Sequence, residues 1–174
     1  MKKIQIGVIG PAIEEYPEDD LLRKKIESAA EKIGELIAEY SMILFTGGCS
    51  GVMEAASRGA KNKGGLTVGT PGRERGTSND YVDVEICTPM DIGDFVFAGT
   101  WSCDAIIVIP SSAGTLAELC IAYRAKKPLI ILKGFDSQYE KWIDRYIDEG
   151  KFVKICGADT PEEAVRKAYT MTRQ

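Results

Sequence analysis

The sequence predicts an α/β fold, a single doubly wound and mostly parallel sheet with helices on both faces. Three observations carry that prediction. Residues 105–109 are apolar without alternation, as in a parallel strand covered on both faces, and the run stops at Pro110, which cannot donate the next ladder hydrogen bond. Strand-length apolar runs alternate along the chain with stretches of helical period. Two strand-to-helix turns, 46–51 and 110–115, consist almost entirely of small residues.

Taken in order, residues 4–9 form a strand that runs into Pro11, and the acidic stretch 14–20 is a polar loop. A long helix comes next. Leu21, Leu22, Ile26, Ala29, Ala30, Ile33, Leu36, Ile37 and Tyr40 repeat at its period, and Glu18, Asp19 and Asp20 stand at the end that favours negative charge. Residues 42–45 make a second strand, and the 46–51 turn leads into a helix carrying Val52, Met53, Ala55, Ala56 and Ala60. Gly64 and Gly65 end it. A third strand at 66–68, an irregular loop at 70–79 and a fourth strand at 82–86 come after it. Residues 90–102 read as a helix weakened by Gly93 and Gly99 and bulky with Phe95, Phe97 and Trp101. After the 105–109 strand, Leu116, Leu119, Cys120 and Tyr123 mark another helix, closed by Lys126 and Lys127. The remaining expectations are a strand at 129–132, a helix at 139–147, a strand at 152–155 and a helix at 161–169. Nothing marks a linker or an internal repeat, so residues 1–174 make one domain, able to bury roughly two thirds of its unfolded surface.

Composition removes several classes of function. The net charge of −4 gives no broad basic footprint, so nucleic acid is not an expected partner. The apolar run after Lys2 and Lys3 is too short for a secretion segment or a membrane span, and a cytoplasmic protein is expected. Five widely spaced cysteines without a C-x-x-C pair fit reduced thiols, and Cys49 and Cys103 read as small buried hydrophobes. There is no histidine, which excludes His-based triads, His-ligated metals and a His base, and no metal site is expected.

In a doubly wound sheet ligands bind beyond the carboxyl ends of the strands. Four loops fall on that rim: Gly10 and Pro11; Thr46, Gly47, Gly48, Ser50 and Gly51, leading into Met53 and Glu54; Pro71 and Gly72; and Ser111, Ser112, Gly114 and Thr115. The start of a helix presents unsatisfied N–H groups and about half a positive charge, which suits a phosphate. Thr115 reads as a phosphate-turn residue or as simply the N-terminal cap of its helix, roles its N–H and its hydroxyl could share, and Glu118 stands one turn further in. Glu118 reads either as an acid–base carboxylate or as one merely favoured near a helix start. Arg73 and Arg75 read as loop charges and as the cations nearest the rim.

The two turns carry a resemblance. Thr46-Gly-Gly-Cys-Ser-Gly-Val-Met-Glu-Ala-Ala and Pro110-Ser-Ser-Ala-Gly-Thr-Leu-Ala-Glu118 look like the paired G-G-x-x-G-x-M and P-G-G-x-G-T-x-x-E motifs of the LOG (Lonely Guy) family, long mislabelled lysine decarboxylase. The resemblance runs from residue 4 to about 132 and implies a Rossmann-like fold that binds a nucleoside 5′-monophosphate. It also implies N-glycosidic bond cleavage by the motif glutamate, Glu118, with an arginine from the helix before the central strand. This chain departs from the pattern there. Phe95 and Val96 stand near the family's arginine and lysine positions, no Arg or Lys occurs from 85 to 122, and the family's Gly-Gly is Ser111-Ser112. The pattern is closer to a branch that includes molybdenum-cofactor carriers, which bind a phosphorylated pterin without turning it over.

The expected protein is therefore cytoplasmic and binds a nucleoside monophosphate or a phosphorylated pterin such as molybdenum cofactor. It needs no further cofactor and forms a homodimer or homotetramer through the aromatic 90–102 helix. The alternative is a phosphoribohydrolase using Glu118. A nicotinamide-linked oxidoreductase is disfavoured because neither turn reads G-x-G-x-x-G, and lysine decarboxylation because no lysine on the rim can form a Schiff base.

Overall fold

In the computed structural model, which describes residues 2–89, 95–110 and 112–173, the apolar 105–109 run is a central strand buried on both faces. Seven strands form one sheet: β1 (Gln5–Ile9), β2 (Ile43–Thr46), β3 (Leu66–Gly69), β4 (Val84–Glu85), β5 (Ala105–Val108), β6 (Leu129–Leu132) and β7 (Cys156–Ala158). Their order is β4-β3-β2-β1-β5-β6-β7 and every pairing is parallel. The chain therefore winds outward from β1 in one direction, returns, and winds outward from β5 in the other. The point of reversal lies between β1 and β5, where Ile6 pairs with Ala105 and Ile9 with Val108.

One face of the sheet is covered by α1 (Asp20–Glu39), α2 (Val52–Asn62) and α6 (Pro161–Met171), over a core that includes Ile6, Val8, Leu44 and Ile107. Asp19 caps α1 by accepting the N–H groups of Leu21 and Leu22. Leu21, placed by its period on the buried stripe, is exposed at the helix start. Helices α1 and α2 meet with their backbones in contact. A methyl on Gly34 would fall 1.9 Å from the Ala56 carbonyl oxygen, and one on Gly59 2.0 Å from that of Glu31. Across the same junction the Arg58 guanidinium meets the Glu31 carboxylate at 3.0 Å.

The other face carries α3, which begins as a π-helical turn (Phe95–Gly99) and tightens over Thr100–Ser102, and α4 (Ala113–Arg124). Residues 90–94, the first turn of the expected 90–102 helix, lie outside the described residues. The expected helix at 139–147 is only the short α5 (Ser137–Glu140). Beyond it Asp144 adopts φ 61°, and the chain turns back so that residues 144 and 145 bond to Ile155 through main-chain groups. Trp142, Ile143 and Ile147 still reach the core, which is why their spacing imitated a helix. The last strand also shifts, from 152–155 to Cys156–Ala158. Phe152 instead packs edge-on against Tyr123, and the small residues after it fit against β6, with Gly157 under Ile143. Strand β4 keeps only two of its five expected residues, because Asp83 turns inward to bond the Thr67 N–H and hydroxyl and the Lys61 ammonium. Glu85 gathers the 70–79 loop, accepting from the Gly76 and Ser78 N–H groups and the Ser78 hydroxyl.

Candidate functional site

At the reversal point the loops after β1, β2 and β5 meet. Gly10 packs directly against Val52 of α2 and the Ile109 carbonyl, and the Val52 N–H donates to the Pro11 carbonyl at 3.1 Å. The 46–51 turn is held from within and from the next strand. The Thr46 hydroxyl accepts the Gly48 N–H at 3.1 Å, its carbonyl accepts the Thr70 N–H at 3.2 Å, and the Asn79 side chain donates to the Gly48 and Cys49 carbonyls. Gly51 has φ 68° and ψ −128°, a conformation that side chains disfavour, and a methyl there would lie 2.5 Å from the Pro11 oxygen. Glycine at 51 is thus dictated by the close approach of the β1 loop. Met53 and Glu54 sit half-buried in the first turn of α2. Cys49 is exposed on the turn, contrary to its reading as a buried hydrophobe, whereas Cys103 is buried and burial pushes its thiol well up.

Ser111 lies outside the described residues. Ser112, not Thr115, caps α4: its hydroxyl accepts the Thr115 N–H at 3.1 Å, and its carbonyl accepts from the Leu116 N–H at 3.0 Å. The expected role of Thr115 is therefore reversed. Its hydroxyl pairs with that of Ser112 at 3.1 Å, and its N–H is already used. Among the described residues the N–H groups of Ala113 and Gly114 find no acceptor, and both residues are exposed. A methyl on Gly114 would meet nothing nearer than the Ser112 hydroxyl at 3.7 Å and a Glu15 carboxylate oxygen at 4.0 Å. From α5 the buried Tyr139 donates to the Ser112 carbonyl at 2.8 Å, and burial pushes its phenol up to about 12, so it stays a donor.

The sequence reading missed the part played by Glu14 and Glu15, which stood there only as loop charges. A single helical turn at Ile13–Glu15 aims them at the two helix starts. Glu14 accepts from the Ser50 hydroxyl at 3.2 Å, while Glu15 accepts the Ala12 N–H at 3.1 Å and places its other oxygen beside Gly114. The clue was the three-residue spacing of Ala12 and Glu15, that of a glutamate reaching back to cap the N–H where its own turn begins. Glu118 is half-buried on α4. Burial, reinforced by the Glu15 charge, pushes its carboxyl up to about 8, so it is largely protonated at neutral pH.

Other expected site residues are placed elsewhere. Pro71 and Gly72 line a shallow cleft of about 260 Å³ with Arg73, Glu74 and Thr77, and the exposed Arg75 stands 3.9 Å from Glu85. A larger cleft, about 530 Å³, opens between α1 and α6 at the end of β6, where Lys25 donates to the Gly134 carbonyl and Lys133 pairs with Asp159. No motif in the sequence pointed to it. Among the described residues no three His, Cys, Asp or Glu side chains are grouped to hold a metal ion, and no helix is long and apolar enough to cross a membrane.

Comparison with known proteins agrees with this fold. An uncharacterized protein of Archaeoglobus fulgidus is 38% identical over 165 residues, covering 95% of this chain and 94% of its own. The molybdenum cofactor binding protein of Rippkaea orientalis superposes with a TM-score of 0.83 at 30% identity, with 98% of each chain covered. The molybdenum cofactor carrier protein of Chlamydomonas reinhardtii gives 0.84 at 30% identity, covering 99% of this chain and all of its own (100%). The model of the SLOG cluster4 family matches residues 3–165, and with the motif-bearing turns on either side of the β1/β5 reversal, the chain belongs to that family.

Proposed function

We propose that the protein binds a phosphorylated, nucleotide-like ligand, a nucleoside monophosphate or a phosphorylated pterin of the molybdenum-cofactor type, at the β1/β5 reversal point. The observation that carries the reading is the pair of helix starts, α2 and α4, flanking β1 on one rim, with the N–H groups of Ala113 and Gly114 open at the second. The molybdenum-cofactor binding and carrier proteins with this fold support a small-molecule ligand over a macromolecular one. The site works as a holder, in the cytoplasm, and needs no additional cofactor.

Thermal-shift and calorimetric titration with AMP, GMP and a phosphorylated pterin test it, with Gly114→Asp as the control. The surroundings of Gly114 admit a side chain, so the variant folds and its carboxylate closes the site. Binding to the native protein that Gly114→Asp removes is the expected result. No ligand distinguishing the two proteins overturns the reading.

A second reading, hydrolysis of the N-glycosidic bond of a nucleoside monophosphate, has one observation in its favour. Glu118 is held in the protonated form that a general acid needs. Release of adenine from AMP, abolished by Glu118→Gln, would establish it. Self-association belongs to the same proposal: Phe97 is 53% and Trp101 64% exposed on α3, which suits a homo-oligomer whose interface uses this helix.

A further inference from the structure

The two helix starts are not equivalent. At α4 the Glu15 carboxylate is fixed by the Ala12 N–H and stands beside Gly114, and Glu118 lies a turn further along the helix with no hydrogen-bond partner among the described residues. No lysine or arginine occurs from residue 86 to 123 to offset them. A phosphate there would share the helix start with the Glu15 carboxylate, which lies 4.0 Å from where a methyl on Gly114 would be, and one like charge at about that distance weakens binding roughly fivefold even in water and more where solvent is excluded. The α2 start is different. Glu14 accepts only from the Ser50 hydroxyl, whose oxygen in turn accepts the Ile13 N–H, and no main-chain bond fixes the Glu14 carboxylate, so an incoming anion can displace it. Next to that turn, Thr70 is 3% exposed and its hydroxyl has no partner, while its main-chain nitrogen lies 3.4 Å from where a methyl on Gly48 would be.

Resting on the binding reading above, we infer that the turns divide one ligand: the 47–51 turn takes the phosphate, and the start of α4 with Glu15 takes the lactam-amine edge of a guanine or pterin ring. That edge carries two adjacent N–H donors beside a carbonyl acceptor. The Glu15 carboxylate complements the donors, and the open N–H groups of Ala113 and Gly114 complement the carbonyl. The Ser112 carbonyl is not available to the ring, since Leu116 and Tyr139 already donate to it. Strands β2 and β5 flank β1, so the two turns stand two strand spacings apart, roughly 10 Å, close to the reach from a nucleotide's phosphate to the far edge of its base. Adenine offers one donor where guanine offers two, and its ring nitrogen would face the second carboxylate oxygen.

The test is calorimetry with GMP, AMP and inorganic phosphate on the native protein and on Glu15→Gln, whose exposed side chain keeps its size. The expected result is at least tenfold tighter binding of GMP than AMP, a preference lost in Glu15→Gln, while inorganic phosphate binds the variant no more weakly than the native protein. Equal binding of GMP and AMP, or a preference that survives Glu15→Gln, overturns the division of labour while leaving the binding reading in place. Binding of neither nucleotide nor phosphate to either protein overturns both.

Discussion

Replacing Gly51 and Gly114 by alanine, one at a time, asks the same chemical question at both turns and expects opposite answers. At Gly51 the backbone lies at φ 68°, ψ −128°, which costs an L residue roughly 1–3 kcal/mol. The new methyl would also stand 2.5 Å from the Pro11 oxygen and 2.8 Å from Ala12 C and Ile13 N, backbone atoms that cannot rotate away. Overpacking of that kind adds about 1–3 kcal/mol. The sum, about 2–6 kcal/mol, is a large share of the 5–15 kcal/mol typical of a domain and corresponds to a fall in Tm on the order of 10 °C. At Gly114 the φ is ordinary, the methyl makes only ordinary contacts, 3.7 Å from the Ser112 hydroxyl and 4.0 Å from Glu15, and the position lies in the first turn of a helix, so alanine should stabilise by about 0.5–1 kcal/mol. Urea unfolding monitored by circular dichroism measures both. A Gly51→Ala protein within 1 kcal/mol of the native one would refute the argument that the β1 loop closes against α2 at this glycine.

The raised carboxyl of Glu118 makes stability depend on pH. Its folded value of about 8 lies above the ordinary 4.5, so its contribution is complete below about 4.5 and is lost as pH rises through 8. Urea midpoints at pH 5, 7 and 9 should fall for the native protein and fall less for Glu118→Gln; parallel curves would contradict this. Removing the Tyr139 hydroxyl with Tyr139→Phe leaves a lone pair of the Ser112 carbonyl unfilled and should cost about 1 kcal/mol, with GMP affinity reduced a few-fold as the α4 start loosens. Calorimetry showing unchanged GMP affinity would mean that α5 does not hold the turn. Glutamate at Phe97 or Trp101 should lower the sedimenting mass, and a native protein that sediments as a monomer at micromolar concentration would defeat the oligomer proposal.

The sheet was readable because parallel strands covered on both faces leave an unmistakable record. The 105–109 run is apolar at every position, and β5 is buried at every position. The glycine turns were readable for a related reason: the approach of Pro11 to Gly51 admits no side chain, so the sequence has to show a glycine. Spacing misled where apolar residues reach the core without regular structure. Trp142, Ile143 and Ile147 do so through turns, because α5 ends at Glu140 and the chain turns back at Asp144, at positive φ. Polar residues were harder still. Whether Ser112 or Thr115 caps α4 depends on where one turn begins, and both have a hydroxyl that can cap. Glu14 and Glu15 looked like solvated loop charges because nothing local reveals that one short turn would carry them across two other loops to Ser50 and Gly114.

The backbone contact between α1 and α2 also governs how the rim can move. Gly34 and Gly59 let the two helices touch without intervening side chains, and the Arg58–Glu31 pair pins the junction, so sliding α2 along α1 would drive main-chain atoms into each other. The 46–51 turn, fixed to the head of α2, inherits that rigidity. Adjustment to a ligand must come from the exposed Ile13–Glu15 turn, anchored at one end by the buried Tyr16 and at the other by the Pro11 contact to Val52. Hydrogen exchange should accordingly separate two kinetic classes on one rim. Amides of α1 and α2 should open only with global unfolding, while those of residues 13–15 should exchange through local opening many orders of magnitude faster and slow down only when a ligand is seated.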